Sequence, residues 1–359
     1  MVGGFLGAGK TTLLARATEI LVGRGMTVGL ITNDQAGDLV DTAMLRTAGF
    51  RVSEIDGGCF CCRFENLISV SDRLIEQIQP DVLIGEPVGS CTDLSATVLQ
   101  PLKKYHGQRF RVAPLTVLAD PARLRQTLRP DRAPIFPNSI TYILRKQLEE
   151  ADLILINKAD TLEAAETAEL VELAERAFGA RPVRTVSALT GAGVGDWLDQ
   201  LTEERPAGKH VAEVDYDTYA EGEALLGWLN GSVALHGEKP VDWPALCGDL
   251  LERIRTTLAA KGAEVAHLKL FLSSPCGSVV ANLTGAGAPI SVRPEISGHS
   301  GDAELTLNAR VHVDPKALQQ IVRAALETIE QAGTRVTIRR MASFRPGRPE
   351  PVHRFDAPV

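Results

Sequence analysis

The sequence lacks long apolar runs and an excess of positive charge. Among its 359 residues, no apolar run approaches the roughly 18 residues that span a membrane. Acidic residues (45) outnumber lysines and arginines (38), which gives a formal net charge of −7. Because general nucleic-acid binding needs a basic field, we predict neither a nucleic-acid partner nor a membrane one. Glycines and a lysine occupy the place of a signal peptide's apolar core, so the expected compartment is the cytoplasm.

The sequence also has few cysteines, and their spacing does not suit a disulfide framework. Three of the six lie in the segment Cys59-Phe60-Cys61-Cys62, too close to pair sensibly with one another. The segment is expected to be a loop between a short strand and a helix. Soft thiolates at this density bind transition metals such as zinc, cobalt, nickel or copper. We therefore predict that Cys59, Cys61 and Cys62 are ligands of a transition-metal ion.

Two domains are predicted from the order of helices and strands. Residues 1–205 alternate strands with helices, which predicts an α/β domain with a mostly parallel, doubly wound sheet. Residues 206–222 begin with proline and glycine and are predicted to be a linker. Residues 223–343 show a strand–helix–strand–strand–helix–strand order, which predicts a smaller ferredoxin-like α+β domain with 285–303 as an inserted loop. Residues 344–359 contain four prolines and are expected to form an extended tail.

The first domain opens with a glycine-rich segment that matches G-x-x-x-x-G-K-[ST] and leads into a helix. Such a loop wraps phosphates in backbone N–H groups, while its lysine reaches the β- and γ-phosphates and the next hydroxyl binds Mg²⁺. A chance glycine-rich turn is the other interpretation. Because little chain precedes the loop, we expect the domain's first strand to be truncated. The predicted nucleotide-binding residues are Gly4, Gly7, Ala8, Gly9, Lys10, Thr11 and Thr12, with Lys10 also catalytic and Thr11 a Mg²⁺ ligand.

A second motif predicts which base is bound. Asn157-Lys158-Ala159-Asp160 ends a buried strand and resembles the N-K-x-D motif with which GTPases read guanine. The Asp160 carboxylate would accept hydrogen bonds from guanine N1 and N2, a donor pair that adenine lacks. A Ser-Ala pair after the next strand resembles the companion segment that contacts guanine O6. We therefore predict GTP and GDP as the nucleotides, bound by Asn157, Lys158, Asp160, Ser187 and Ala188.

Two candidate switch segments lie between these motifs. Glu86-Pro87-Val88-Gly89 gives E-x-x-G where most small GTPases carry D-x-x-G. Glu86 would act in catalysis and reach Mg²⁺ through a water, with the Gly89 N–H turned toward the γ-phosphate; alternatively, Glu86 caps the following helix. The polar loop after the second strand occupies the place of the first switch. Asp34 or Asp38 in that loop could approach a metal ion or be a solvated turn residue, and the sequence leaves both options open.

Together these motifs resemble those of the CobW-like GTPases, relatives of the HypB and UreG accessory GTPases of hydrogenase and urease maturation. The family's C-x-C-C signature, between the phosphate loop and E-x-x-G, matches the three clustered cysteines. The resemblance implies a P-loop GTPase domain, a second α+β domain, thiols that bind zinc or cobalt-type ions, and a role as metal insertase or chaperone. The seven histidines are scattered, so no metal-storage tract is inferred. Cys91 lies outside the signature, and a buried small side chain and a fourth metal ligand both stay open for it.

The predicted function is that of a GTP-hydrolysing metal chaperone that binds Zn²⁺, or a similar ion such as Co²⁺ or Ni²⁺, and delivers it to a client metalloprotein. Three thiolates leave a tetrahedral ion one open position, which suits transfer rather than storage. No internal glutamine or arginine finger is evident, so hydrolysis is expected to be slow in isolation, and a nucleotide-dependent homodimer is one way to stimulate it. The alternatives are a GTPase with a structural zinc site and a thiol redox sensor.

Overall fold

Parallel and antiparallel strand pairing divide the chain into two units. The computed structural model describes residues 1–37, 39–129, 135–179, 181–202 and 206–359. The first unit comprises Met1–Gln35, Leu45–Gly222 and Arg348–Val359, and the second comprises Ala36–Met44 and Glu223–Gly347. Residues 206–222, the predicted linker, therefore cluster with the first unit, as does most of the predicted tail. No helix within the described ranges combines the length and the hydropathy of a membrane span.

The elements of the chain up to residue 224 alternate as the sequence predicts. The strands are β1 (Val2–Gly4), β2 (Val28–Asn33), β3 (Arg51–Ile55), β4 (Val82–Glu86), β5 (Thr116–Ala119), β6 (Leu153–Ile156) and β7 (Val183–Thr185). The helices are α1 (Lys10–Gly23), α2 (Val40–Thr47), α3 (Phe64–Ile78), α4 (Gln100–His106), α5 (Pro121–Leu128), α6 (Asn138–Glu150), α7 (Ala164–Phe178), α8 (Val194–Thr202) and α9 (Tyr216–Ala224). A π-helical turn at Ser95–Leu99 leads into α4.

The strands of the first unit are all parallel and pair in the orders β3-β2-β4 and β1-β5-β6-β7. A Cβ added at Gly85 of β4 would lie 3.1 Å from the Met1 sulfur, so β4 runs beside β1 and the two sets adjoin. All residues of β5 and β6 are buried, as expected for parallel strands that are covered on both faces. The predicted α/β domain with a parallel, doubly wound sheet is confirmed.

The second unit is built on one antiparallel sheet of order β11-β10-β9-β12-β8-β13. Its strands are β8 (Gly227–Gly237), β9 (Val265–Ser274), β10 (Gly277–Leu283), β11 (Ser291–Ile296), β12 (Asp302–Val311) and β13 (Thr334–Phe344). Two helices, α10 (Trp243–Ala260) and α11 (Pro315–Gln331), bury their apolar stripes against the sheet. Their core includes Leu250, Ile254, Leu268, Leu307, Leu318 and Val322. The predicted α+β second domain is confirmed.

One expectation for this unit is wrong. The stretch 285–303, predicted as an inserted loop, contains β11, which pairs with β10 at the edge of the sheet. Its side chains are exposed or half-buried, and Pro294 interrupts the alternation of Val292 and Ile296 with polar residues. An edge strand tolerates a proline, because one of its sides makes no hydrogen bonds to the sheet.

A buried carboxylate holds the start of residues 206–222 against the first unit. Asp152 accepts hydrogen bonds from the backbone N–H groups of Leu115 (2.7 Å), Gly208 (2.6 Å) and Lys209 (2.7 Å). Only 8% of the residue is exposed, so water cannot easily replace these three bonds. Asp152, together with Gln100, which donates to the Gly208 carbonyl oxygen, therefore fixes the start of this segment.

We predict that Asp152→Ala lowers the free energy of unfolding by roughly 2–4 kcal/mol, because it leaves buried N–H donors without acceptors. Urea denaturation followed by circular dichroism measures the change. The control is Asp199→Ala, which removes an exposed ion pair with Arg24 and is expected to cost less than about 1 kcal/mol. Equal effects of the two substitutions would contradict the anchoring role of Asp152.

Candidate functional site

The segments that carry the predicted chemistry all follow the carboxyl ends of parallel strands. The phosphate loop follows β1, the segment Cys59–Cys62 follows β3, and the E-x-x-G segment begins at the end of β4. The predicted base-reading segments follow β6 and β7. Because parallel strands end at the same edge of a sheet, these segments gather at one edge, where α/β folds bind their ligands.

The phosphate loop is shaped by close contacts that only glycine permits. Gly4 has a φ of +133°, and a Cβ there would lie 2.4 Å from the Leu118 carbonyl oxygen. Gly9 has a φ of +96°, and its Cβ would lie 2.4 Å from Asn157 Nδ2. The buried Lys10 donates from Nζ to the Gly4 carbonyl oxygen (2.9 Å), so the lysine spans the loop. An anion in the loop would meet this ammonium group and the N-terminus of α1. The other predicted residues here are Gly7 (φ +80°), the buried Ala8, and Thr12 in the first turn of α1.

The E-x-x-G segment meets the phosphate loop. Glu86 Oε1 accepts a hydrogen bond from Thr11 Oγ1 (3.1 Å), and both residues are buried. A Cβ added at Gly89 would lie 2.7 Å from Leu6 Cδ2 and 3.2 Å from Lys10 Nζ, so the backbone here lies close to both side chains of the loop. A hydroxyl and a carboxylate side by side are hard oxygen donors of the kind that Mg²⁺ prefers, so these residues fit the ion that the sequence predicts.

Asn157 ties the base-reading segments to the phosphate loop. The side chain is buried; its Nδ2 donates to the Ala8 carbonyl oxygen (2.8 Å) and its Oδ1 accepts the Ala188 N–H (2.9 Å). Ser187 is buried beside it, whereas Asp160 is exposed. Three segments that are far apart in sequence are thus held by one amide.

Lys158 has a partner that the sequence analysis missed. Its Nζ donates to Asp120 Oδ2 (2.7 Å), and Lys158 itself has a left-handed φ of +59°. Asp120 follows β5 and caps α5, where its other oxygen accepts the Arg123 N–H (3.1 Å). The signal in the sequence is an aspartate between a strand and a proline-initiated helix, which is a typical N-cap position. The pair orients the lysine side chain at the base-reading loop.

The three clustered thiols converge in the structure. Cys59 Sγ lies 2.8 Å from Cys61 Sγ and 3.1 Å from Cys62 Sγ, and the latter two are 3.8 Å apart. The chain turns tightly here, because the N–H groups of Cys62 and Arg63 both donate to the Cys59 carbonyl oxygen. Among the side chains that the structure describes, these three form the group of three or more metal-ligating residues whose ligand atoms all lie within 4.8 Å of one another. Cys59 and Cys61 are buried, and Cys62 is half-buried.

The close contacts among the three thiols favour a single, shared negative charge. Hydrogen bonds with the Cys61 and Cys62 thiols hold the pKa of Cys59 well below its usual range. The hydrogen bond between Cys61 and Cys59 raises the pKa of Cys61. The hydrogen bond between Cys62 and Cys59 raises the pKa of Cys62 to about 11. These directions favour a cluster with one thiolate, at Cys59, and two thiols.

The cluster fits a transition-metal ion after a small expansion. A tetrahedral zinc ion with Zn–S bonds of about 2.3 Å needs sulfur atoms about 3.8 Å apart. One of the three separations already has this value, and the other two are shorter by 1 Å or less. The thiol hydrogen bonds that draw the sulfurs together would be lost when an ion replaces the shared protons.

A second residue missed by the sequence analysis is Asn33, at the end of β2, which shapes the thiol segment. Its Nδ2 donates to the carbonyl oxygens of Ile55 (2.9 Å) and Gly58 (2.7 Å), and its Oδ1 accepts the Phe60 N–H (2.9 Å). The side chain is only 6% exposed, so these bonds are shielded from water. The residue that ends the second strand therefore sets the entry into the cysteine cluster.

Two polar side chains of the second unit's sheet hold the first-switch segment Ala36–Met44, which belongs to that unit. Asn230 of β8 and Asn308 of β12 are buried cross-strand neighbours. Asn230 Nδ2 donates to the Ala36 carbonyl oxygen (3.1 Å), and Asn308 Oδ1 accepts the Val40 N–H (2.8 Å). The two amides thus satisfy backbone groups of this loop.

The residues left open by the sequence differ in their surroundings. Asp34 is buried and accepts the Gln35 N–H on its carboxylate, and it lies outside the group of three thiols. Asp38 lies outside the described residues. Cys91 is fully buried, and a hydrogen bond between its thiol and Cys59 adds to the lowering of the Cys59 pKa. It lies outside the group of three as well.

Comparison with known proteins places these features in a family. The family model for the CobW/HypB/UreG nucleotide-binding domain matches residues 1–185. The hydrogenase maturation factor HypB of Azotobacter chroococcum mcd 1 is 28% identical over 203 residues, which cover 56% of this chain and 58% of that protein. The chain thus spans less than two thirds of this relative's length. The zinc chaperone CobW of a Sinorhizobium species is 24% identical over 277 residues, 66% of this chain and 77% of that protein.

Solved structures are more distant. HypB from Helicobacter pylori in complex with nickel is 18% identical, with a TM-score of 0.39, and the match covers 56% of this chain and 86% of that one. Zn(II)-bound YjiA GTPase from E. coli is also 18% identical, with a TM-score of 0.37, over 91% of this chain and 96% of that one. The match to the family model alone covers more than half of the chain and confirms the resemblance that the motifs predict. The chain belongs to the CobW/HypB/UreG family of P-loop GTPases.

Proposed function

We propose that this protein is a GTP-hydrolysing metal chaperone that binds a transition-metal ion at Cys59, Cys61 and Cys62 and delivers it to a client metalloprotein. The observation that carries the proposal is the convergence of three thiols within 4.8 Å in the same unit as the phosphate loop. Four relatives are named zinc chaperones, which makes Zn²⁺ the first candidate for the cargo. Ni²⁺ and Co²⁺ suit the same ligands.

The nucleotide site is proposed to work by charge and position. Lys10 and the N-terminus of α1 bind the phosphates, and the exposed Asp160 accepts hydrogen bonds from guanine. Thr11 and Glu86 would hold Mg²⁺, which when bound supplies positive charge beside the phosphates. Gly89 brings its backbone close to Lys10, where a γ-phosphate would be sensed.

The thiol site is proposed to be a transfer site. Three protein ligands leave a tetrahedral ion one position for a ligand from the client, so the ion can pass without being released to water. Free thiols in this role need a reducing compartment, and we propose the cytoplasm. A nucleotide-dependent homodimer is proposed as one way to speed hydrolysis, because the motifs supply no arginine finger.

If Asp160 recognises guanine as proposed, the substitution Asp160→Asn should change which base the protein prefers. The amide offers one acceptor in place of the carboxylate pair, so GTP affinity should fall by about 100-fold or more. XTP should bind the variant better than GTP does, because the amide can donate to the C2 oxygen of xanthine. Competition against a fluorescent GDP analogue measures both affinities. The control is Asp196→Asn, exposed on α8, which should leave both unchanged; an unaltered GTP affinity in the Asp160 variant would refute the assignment.

The thiol assignment predicts that the wild-type chain binds one Zn²⁺ ion and that Cys59→Ser weakens binding by about 100-fold or more, because a ligand is lost. Chelator competition gives the affinity, and circular dichroism shows whether the fold is kept. The matched control is Cys276→Ser, a half-buried cysteine between β9 and β10, which should bind zinc normally. Unfolding upon zinc removal would favour the structural zinc site, and a metal-free protein that reversibly forms a Cys61–Cys62 disulfide would favour the redox sensor.

The shared charge predicts how zinc affinity depends on pH. The lowered pKa of Cys59 favours its thiolate, whereas the raised pKa values of Cys61 and Cys62 favour their protonated forms. Zinc must displace these two protons, so affinity should rise with pH between 6.5 and 8.5, by up to about 100-fold per pH unit. Calorimetry in buffers of different ionisation enthalpy should count close to two protons released. A pH-independent affinity would contradict this charge distribution.

A further inference from the structure

The last residues of the chain run across the thiol cluster. We define the strap as Arg348–Val359, all of which belongs to the first unit. Its backbone contacts the cluster twice: the Glu350 N–H donates to Cys62 Sγ (3.2 Å), and the Val352 N–H donates to the Cys61 carbonyl oxygen (3.0 Å). Cys62 is the half-buried thiol of the three, so the strap lies against the side of the cluster that solvent can reach.

The strap is fastened by a buried ion pair. Arg354 Nε donates to Asp93 Oδ2 (2.8 Å), and the Asp93 side chain is fully buried. The same oxygen accepts a hydrogen bond from the Tyr216 hydroxyl (2.8 Å). A buried carboxylate that loses its charged partner destabilises the fold. The pairing with Asp93 therefore holds Arg354 in place. Its other ion-pair partner, Asp356, is 97% exposed and adds little.

The strap also packs through its side chains. The His353 ring contacts the ring of Phe64, the second residue after the cysteine cluster, edge to face at 5.2 Å between centroids. It lies at the same distance from Tyr105 of α4. The Phe355 N–H donates to the Ala96 carbonyl oxygen (3.1 Å). The strap therefore touches the thiol segment and the chain after the second switch, which is the E-x-x-G segment, within a few residues.

Asp93 links the strap to the nucleotide site. It follows Gly89, the glycine of E-x-x-G, by four residues, and its backbone holds a left-handed φ of +67°. A rearrangement of Gly89 upon hydrolysis would reach Asp93 through this short and strained stretch. The Arg354 ion pair then carries the displacement to residues 350–352, which hydrogen-bond Cys61 and Cys62.

We propose that the strap is a gate of the cargo site, closed by the Arg354–Asp93 pair and opened when the second switch moves. Arg354 is a positioning residue: it touches neither nucleotide nor thiol, and acts by holding the strap against Cys62. The gating of cargo rests on the proposed metal-chaperone function. The covering of Cys62 does not, and it can be tested without any metal.

The first test measures how fast iodoacetamide alkylates Cys62 in the metal-free full-length protein, read by peptide mass spectrometry. Arg354→Ala and a chain ending at Gly347 should be alkylated about tenfold faster at Cys62 than wild type, because access limits thiol reactivity. Asp356→Ala, which removes the exposed partner of the same arginine, should behave like wild type. Cys276 of the second unit is the internal reference, and its rate should not change. Equal alkylation rates of Cys62 in wild type and Arg354→Ala would overturn the proposal that Arg354 holds the strap over Cys62, whether or not the shortened chain folds.

The second test measures how fast a chelator removes Zn²⁺ from the loaded protein in the GDP state and in the state bound to a GTP analogue. Wild type should show different rates in the two states, and Arg354→Ala should lose at least most of this difference. A difference that survives in Arg354→Ala would overturn the gate. If wild type binds no zinc but Cys62 alkylation still responds to Arg354, the metal-chaperone function fails while the strap stands.

Discussion

The parallel direction of the strands in the first unit is the constraint on which its site depends. Each strand delivers the loop after it to the same edge, so segments from Gly4 to Ala188 meet although 184 positions separate them. The thiol segment takes part in this arrangement because it follows β3, which pairs in parallel with β2. A metal cluster on a connection that leads from a helix into a strand would lie at the far edge.

Two buried asparagines bond the loops at this edge to one another and so fix the distances between them. Asn157 bonds the phosphate loop and the segment after β7, and Asn33 bonds both ends of the turn that leads into Cys59. Each amide offers two donors and one acceptor oxygen, so one side chain can satisfy backbone groups of both polarities. In a buried loop these groups would otherwise stay unpaired at a cost of about 1–3 kcal/mol each. The loops can therefore be irregular and still have one conformation.

The sequence predicted those parts of the site whose chemistry lies in consecutive residues. The phosphate loop, the N-K-x-D segment and the C-x-C-C segment each contain their own signal, and the alternation of strands and helices predicted the parallel sheet. Residues that act across long sequence separations gave no such signal. Asp120 meets Lys158, and Arg354 meets Asp93 across 261 positions, only because the fold brings them together. β11 was missed for a different reason, since Pro294 interrupts its short alternation of apolar and polar residues, and a sheet edge tolerates such a proline.

The shared charge of the thiol cluster bears on the choice between storage and transfer. A site that must release two protons before it closes around an ion binds less tightly at neutral pH than one with three ionised thiols. Its affinity can also be changed by small movements, because the hydrogen bonds among the sulfurs compete directly with the ion. The Glu350 N–H adds a further donor to Cys62, and a donor to a thiolate reduces the electron density available to a metal. Movement of the strap thus acts on the same sulfur that solvent reaches, which couples access to the ion with the strength of its binding.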